Sequence, residues 1–390
     1  MQAATGPCAG ALEKATQTCK SDCTWDAGVC ALPKGWTKIA DPPAGFAGRA
    51  GATAVWTGDR MIVWGGGDGS GATYFDDGAA YSPLTNTWSP LPPAPAGVFG
   101  REAQVSVWTG AELVIWGGQN ASPGYLADGA AYSPATNSWH KLASSPLGGR
   151  GWAGAVLARS TGEVVVWGGR TSTEQNDGAA YLAPSDNWKP IAAAPVVGRI
   201  NPVIAYLAGD VLVWGGTVSE TNPLRDGARL SVTARTWTKL PDPPIEYVDR
   251  TWASHAPTTT GFFTYGGLEL VAGFPVHPDG LRYAAGAWTL VPVLDAAIVS
   301  PQPGFFGATW CSPAACWVWS GASGWGTPLP LASGGARFDL TTSVWSAMPT
   351  TNAPAARFSP QVAWTGSYAV VWGGAESATS AARDGAIYVP

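Results

Sequence analysis

The chain has 390 residues, a formal net charge of −5, and abundant Gly (51), Pro (33) and Trp (22), with only 13% charged residues. That composition speaks against a helix-rich enzyme, which would carry more Lys and Glu, and for an all-β protein with many turns. The absence of a Lys/Arg cluster argues against a nucleic-acid partner. No apolar run is long enough for a membrane-spanning helix, and a monomer is expected.

Residues 1–34 hold four of the six cysteines, Cys8, Cys19, Cys23 and Cys30, with no apolar run of their own. This pattern predicts a small disulfide-stapled segment, for which three connectivities are open. A zinc site would need CxxC spacing and a nearby His, and both are missing. The opening MQAATGPCAG lacks the apolar stretch of a secretory leader, so a leader is expected to have been removed upstream.

Residues 35–390 are built on an internal repeat. In its first full copy, ATAVW (52–56) turns at Thr57–Asp59 into RMIVW (60–64), a glycine-rich loop follows, and AAYS (79–82) turns at 83–86 into a strand near Trp88. Short apolar runs bounded by Gly, Asp, Asn and Pro read as strands, which makes four per repeat. The ending of VWGG (63–66) returns at Trp116, Trp167, Trp214, Tyr265, Trp319 and Trp372, 47 to 54 residues apart. The segment DGAAYSPLTNTW (77–88) returns as DGAAYSPATNSW (128–139) and DGAAYLAPSDNW (177–188), and its closing Trp continues at Trp237, Trp288 and Trp345. Seven motif copies, six with the diglycine and one with Ser320-Gly321 after Trp319, face only six closing tryptophans. The missing one is found in GWTKIADPP (35–43), so one N-terminal strand and three C-terminal strands are expected to complete a seventh unit and leave no open edge.

A diglycine after an apolar strand, a later aromatic and a Trp about six residues further on resemble kelch repeats, and a period near ~50 residues suits that group. The resemblance covers residues 35–390, is of the kind seen in the central domain of galactose oxidase, and implies a seven-bladed β-propeller of four-stranded blades. VWGGGDGSG (63–71) is then structural rather than a phosphate loop, which would require a following helix and usually a Lys.

Turns between strands one and two, and between three and four, are short and repetitive. The connections from strand two to three, and from blade to blade, vary in length and residue type and share the other face, where binding is expected. Six arginines recur there, Arg49, Arg101, Arg150, Arg199, Arg250 and Arg357, and an acidic series runs in step, Asp77, Asp128, Asp177, Asp226, Asp279 and Asp384. In some kelch proteins arginines near these positions receive acidic peptides. The alternative is structural pairing within each blade, favoured because blade six lacks both members, with Gly304 and Gly334 in their places.

Blades five and six depart most from the pattern. Trp252, Phe274, Phe305, Phe306 and Trp325, with His255 and His277, are the candidate ligand contacts, since aromatic rings beside polar loops suit a glycan or a peptide. The competing role for the aromatics is packing between blades. Cys311 and Cys316 flank a hairpin turn in blade six and are expected to be disulfide-bonded. The even cysteine count, and the likeness of CKSDCTW (19–25) to small Cys-rich repeats of bacterial surface proteins, point to a secreted or cell-surface location.

Two enzyme classes come with the kelch resemblance. A galactose-oxidase-like copper site takes two His and two Tyr, one of them linked to Cys. His140 lies on an outer strand here, leaving only His255 and His277, and every Cys has a disulfide role. A sialic-acid-mutarotase-like acid–base site could draw on Glu246, Asp249, His255 and the arginines. Serine-hydrolase GxSxG and zinc HExxH signatures are absent. GDGSG (67–71) with Asp76 and Asp77 offers possible calcium ligands, without EF-hand spacing; no other cofactor is expected. The sequence reading is therefore a binding or adhesion module for a glycan or peptide, with an acid–base or copper enzyme as the alternative.

Overall fold

A computed structural model describes residues 11–16, 29–121, 124–219, 222–271, 273–326, 328–377 and 379–390. Seven four-stranded antiparallel sheets are arranged as blades of a ring. In blade one the innermost strand Thr53–Trp56 pairs with Met61–Trp64, which pairs with Gly78–Ser82 and then Thr87–Pro90. Blades two to six repeat this order. Blade seven takes its outermost strand, Gly35–Lys38, from the start of the chain, and pairs it with Gly385–Val389 in a register that sets Trp36 opposite Tyr388. Innermost strands contact each other around the ring, with Gln361–Trp364 of blade seven against Thr53–Trp56 of blade one.

The repeated tryptophans explain why the blades stay together. Each diglycine-motif aromatic packs on the outer Trp of the next blade: Trp64 on Trp139, Trp116 on Trp188, Trp167 on Trp237, Trp214 on Trp288, Tyr265 on Trp345, Trp319 on Trp36, and Trp372 on Trp88, with ring centroids 5.2–5.9 Å apart. Trp36 closes this circuit at the seam. The outer rings also bond across: Trp88 Nε1 donates to the Ala40 carbonyl and Trp139 Nε1 to that of Pro92, each on the connection from the preceding blade. Large buried aromatics with a satisfied N–H combine area and direction.

The diglycine is required by close approach. Gly65 and Gly66 have φ of 71° and 86°, and a Cβ on Gly66 would stand 2.6 Å from the Ala50 carbonyl oxygen. The Gly66 N–H donates to the Arg101 carbonyl of blade two at 2.8 Å, and the Gly374 N–H to that of Arg49 at 2.9 Å, so the motif joins neighbouring blades.

In blade six Cys311 and Cys316 are cross-strand partners joined by a disulfide. Near the N-terminus Lys14–Thr16 pairs with Val29–Ala31, and Leu12 and Leu32 pack on the core between blades seven and one. Cys8, Cys19 and Cys23 lie outside the described residues, as does the side chain of Cys30, so the expected N-terminal disulfides lie outside them too.

Candidate functional site

The arginine series is turned into the blades. Arg49, Arg101, Arg150, Arg199 and Arg357 reach Asp77, Asp128, Asp177, Asp226 and Asp384 at 2.7–2.8 Å, and Arg250 pairs closely with Asp279. The guanidinium groups are buried, and each also donates to backbone; Arg101 bonds the carbonyls of Phe99, Gly117 and Asp128. Burial pulls the Arg49 and Arg199 guanidinium pKa values down, opposed by their aspartates. Donors committed in this way are not available to an acidic ligand. Blade six cannot hold the pair, because a Cβ on Gly304 would stand 2.0 Å from the Ala322 carbonyl oxygen. There the Ser320 hydroxyl accepts from the Arg357 N–H at 2.8 Å and donates to the Ala332 carbonyl at 2.9 Å.

Two residues after each of these arginines, or after Gly304, the chain enters the left-handed region: Gly51, Ala103, Trp152, Asn201, Trp252, Phe306 and Ser359 have φ of 49–62°. Neighbouring members bond through their backbones. The Trp152 N–H donates to the Ala103 carbonyl at 3.0 Å, Asn201 to Trp152 at 2.9 Å, and Ser359 to Phe306 at 2.7 Å. A ring of constant backbone and changing side chain thus rims the central channel on the variable-loop face. Left-handed Trp and Phe are uncommon and persist only where their surroundings hold them.

On blades four to seven this rim opens into a cavity of ≈ 300 Å³, lined among others by Asn201, Trp252, Ser254, His255, Phe306 and Ser359. Five of the sequence-derived candidates meet beside it. Trp252 stacks on Phe306 and on Trp325, with centroids 5.2 and 5.9 Å apart, Phe274 packs on Trp325 at 5.7 Å, and Phe305 lies beneath. Trp325 is 53% exposed and Phe274 41%, whereas Phe305 is fully buried with Leu268 and Ala322. Phe305 is therefore corrected from ligand contact to support, because a ring without accessible surface cannot touch a ligand.

The two histidines part company. His255 projects from the innermost strand of blade five, where its ring is wetted by the channel yet surrounded by protein. That desolvation holds its pKa below 6.5, against a hydrogen bond with the Ala253 backbone. His277 is absent from the cavity lining and bonds Glu269 at 3.0 Å. The pair therefore does not converge on one ion, which removes the basis for the copper reading. Asp249 lines a different cavity, with Arg225 and Glu269, and Glu246 is exposed outside the mouth. The possible calcium ligands diverge as well: the Asp68 carboxylate accepts from the Ser70 N–H and hydroxyl, while Asp77 holds Arg49. Among the described residues no three His, Cys, Asp or Glu side chains are grouped to hold a metal.

Reasoning from sequence found the aromatic set but missed the left-handed rim and the polar lining from Asn201, Ser254 and Ser359. Counting two residues forward from each arginine locates the rim.

The profile of the KLHDC2/KLHL20/DRC7 Kelch-repeats domain matches residues 32–197. No curated protein matches the chain. Among solved structures, one titled "Structure of YjhT" superposes with a TM-score of 0.58 at 14% identity, covering 80% of this chain and 99% of that one, which establishes likeness of fold.

Proposed function

Starting from a chain that is a kelch-repeat, seven-bladed β-propeller, we propose that it is an extracytoplasmic binding module that holds a glycan terminus at the channel mouth of blades four to seven. The carrying observation is the stacked aromatic set whose outer members, Trp325 and Phe274, remain exposed beside a cavity of ≈ 300 Å³. A sugar ring has apolar faces for such aromatics, and its hydroxyls suit Asn201, Ser254 and Ser359 in the lining. The location rests on the blade-six disulfide, which forms and persists in oxidising compartments.

A binder is favoured over an acid–base enzyme by the titratable groups in the cavity, which are Tyr247, Arg250 and His255. Arg250 is held by Asp279, and burial raises the Tyr247 pKa and leaves its phenol a weak acid, so no carboxylic acid stands beside His255 among the described lining residues. The test is a glycan array probed with the wild type and with Trp325→Ala. Specific signals that vanish in a variant of unchanged stability support the reading. A blank array for wild type removes the glycan, and a collapse of stability assigns Trp325 to the core.

A further inference from the structure

The opposite mouth of the channel, on the face of short hairpins, holds a second and larger cavity of ≈ 570 Å³. It is lined by Ser106 and Trp108 of blade two, Leu157 and Arg159 of blade three, Tyr206 of blade four and Thr258 of blade five, among others. Trp108, Leu157 and Tyr206 are equivalent residues near the ends of successive innermost strands, each seven residues after its blade's arginine. The two half-buried rings stand as apolar walls on either side of Leu157.

Arg159 is there because blade three breaks the repeat. Its arginine-to-diglycine spacing is two residues longer than in the other arginine-bearing blades, and the extra residues enlarge the first turn: residues 159–162 separate the paired Ala158 and Glu163, where residues 208–209 separate Leu207 and Asp210 in blade four. The extension is fixed from beneath. The buried Glu163 carboxylate accepts from the Thr161 hydroxyl at 3.0 Å and pairs with Arg235, and the Ser160 N–H donates to the Tyr206 hydroxyl at 3.1 Å. Arg159 itself is exposed and has no ion pair or side-chain hydrogen bond among the described residues, unlike the arginines of the opposite face. The Thr258 hydroxyl, also in the lining, has no partner either.

An unengaged guanidinium beside two aromatic walls selects a ligand that is both anionic and flat. Guanidinium groups match carboxylate geometry bidentately and stack well on ring systems, and the cavity is larger than an inorganic ion needs. We propose that this mouth is a second ligand site, for a planar aromatic carboxylate whose anion meets Arg159 and whose rings lie between Trp108 and Tyr206.

The test is isothermal titration of the full chain with naphthoate and with its neutral analogue naphthalenemethanol. Naphthoate is expected to bind saturably in the millimolar range or tighter, and Arg159→Ala to weaken it about tenfold or more, with Arg159→Lys between, as expected for loss of a charge-assisted bidentate contact. The neutral analogue should bind wild type no better than naphthoate binds Arg159→Ala. Trp108→Leu, checked by urea unfolding, should weaken both. Arg60→Ala, on the matching hairpin of blade one, and Trp325→Ala, on the other face, should change neither. No saturable heat with naphthoate, full binding by Arg159→Ala, or an equal loss in Arg60→Ala would overturn the site, while the glycan reading of the other mouth stands or falls separately.

Discussion

Asp128→Asn is expected to destabilise the propeller far more than an ordinary loss of surface charge. The Arg101 guanidinium is fully buried and donates from Nη2 to Asp128 at 2.8 Å, while Nε and Nη1 are held by backbone carbonyls. The amide keeps an acceptor but removes the negative charge, so a buried cation is left with neutral partners only. Breaking a buried pair typically costs about 3–5 kcal/mol. The Asp128 side chain is 34% exposed, so water compensates in part, and about 2–3 kcal/mol is expected here. Arg101→Met should cost about as much or more, because the carbonyls of Phe99, Gly117 and Asp128 lose a donor. The double variant should cost less than the sum, since neither charge is then left alone. Urea unfolding followed by tryptophan fluorescence measures all three, and Asp59→Asn, from the exposed Arg60–Asp59 pair, is the control at about 0.5 kcal/mol or less. Asp128→Asn no costlier than Asp59→Asn, or strictly additive effects of the Arg101 and Asp128 variants, would refute the pairing argument.

Trp36→Ala should lose about 3–5 kcal/mol in the same assay, because its buried ring joins Trp319 and Tyr388 at the seam; a loss below ~1 kcal/mol would mean that backbone pairing alone closes the ring. Replacing Cys311 and Cys316 together by Ala should cost about 2 kcal/mol for so short a loop, and mass spectrometry of unreduced wild type should find these two thiols absent. His255 has a folded pKa below its ordinary 6.5, so the fold favours its neutral form. Its contribution is then complete above 6.5 and declines as pH falls from there toward the lower folded value. His255→Gln should flatten the acid limb of the urea-midpoint profile; an unchanged limb assigns the slope to other groups.

Most of the architecture is legible in the chain because each blade solves one packing problem with the same residues. A motif aromatic must meet an outer Trp on the next blade, so both series recur, and the unpaired member at Trp36 identifies the seam before any coordinate does. The Arg and Asp series likewise travel together. Phe305 and Phe306 show where such reading stops: neighbours in the chain, they are distinguished only by tertiary placement, one sealed under the loops and one on the channel rim. His255 and His277 fare similarly, since both lie in the deviant blade but face different surroundings.

The rim escaped sequence reading for a physical reason. A left-handed residue is normally betrayed by Gly or Asn, and of the seven rim positions only Gly51 and Asn201 bear that signature. The others hold Ala, Trp, Phe and Ser in the same conformation, which inter-blade backbone bonds such as those from Trp152, Asn201 and Ser359 help to hold. Because the backbone there is set by the ring, the side chain is free of the duty that restrains the Trp, Gly, Arg and Asp series, and it can differ from blade to blade. Specificity in a propeller therefore belongs at positions where geometry repeats and chemistry does not. The Trp252–Phe306 pair on one mouth meets that criterion. Arg159 on the other lies outside it, on an insertion where the geometry itself departs from the repeat while the surrounding strands stay in register.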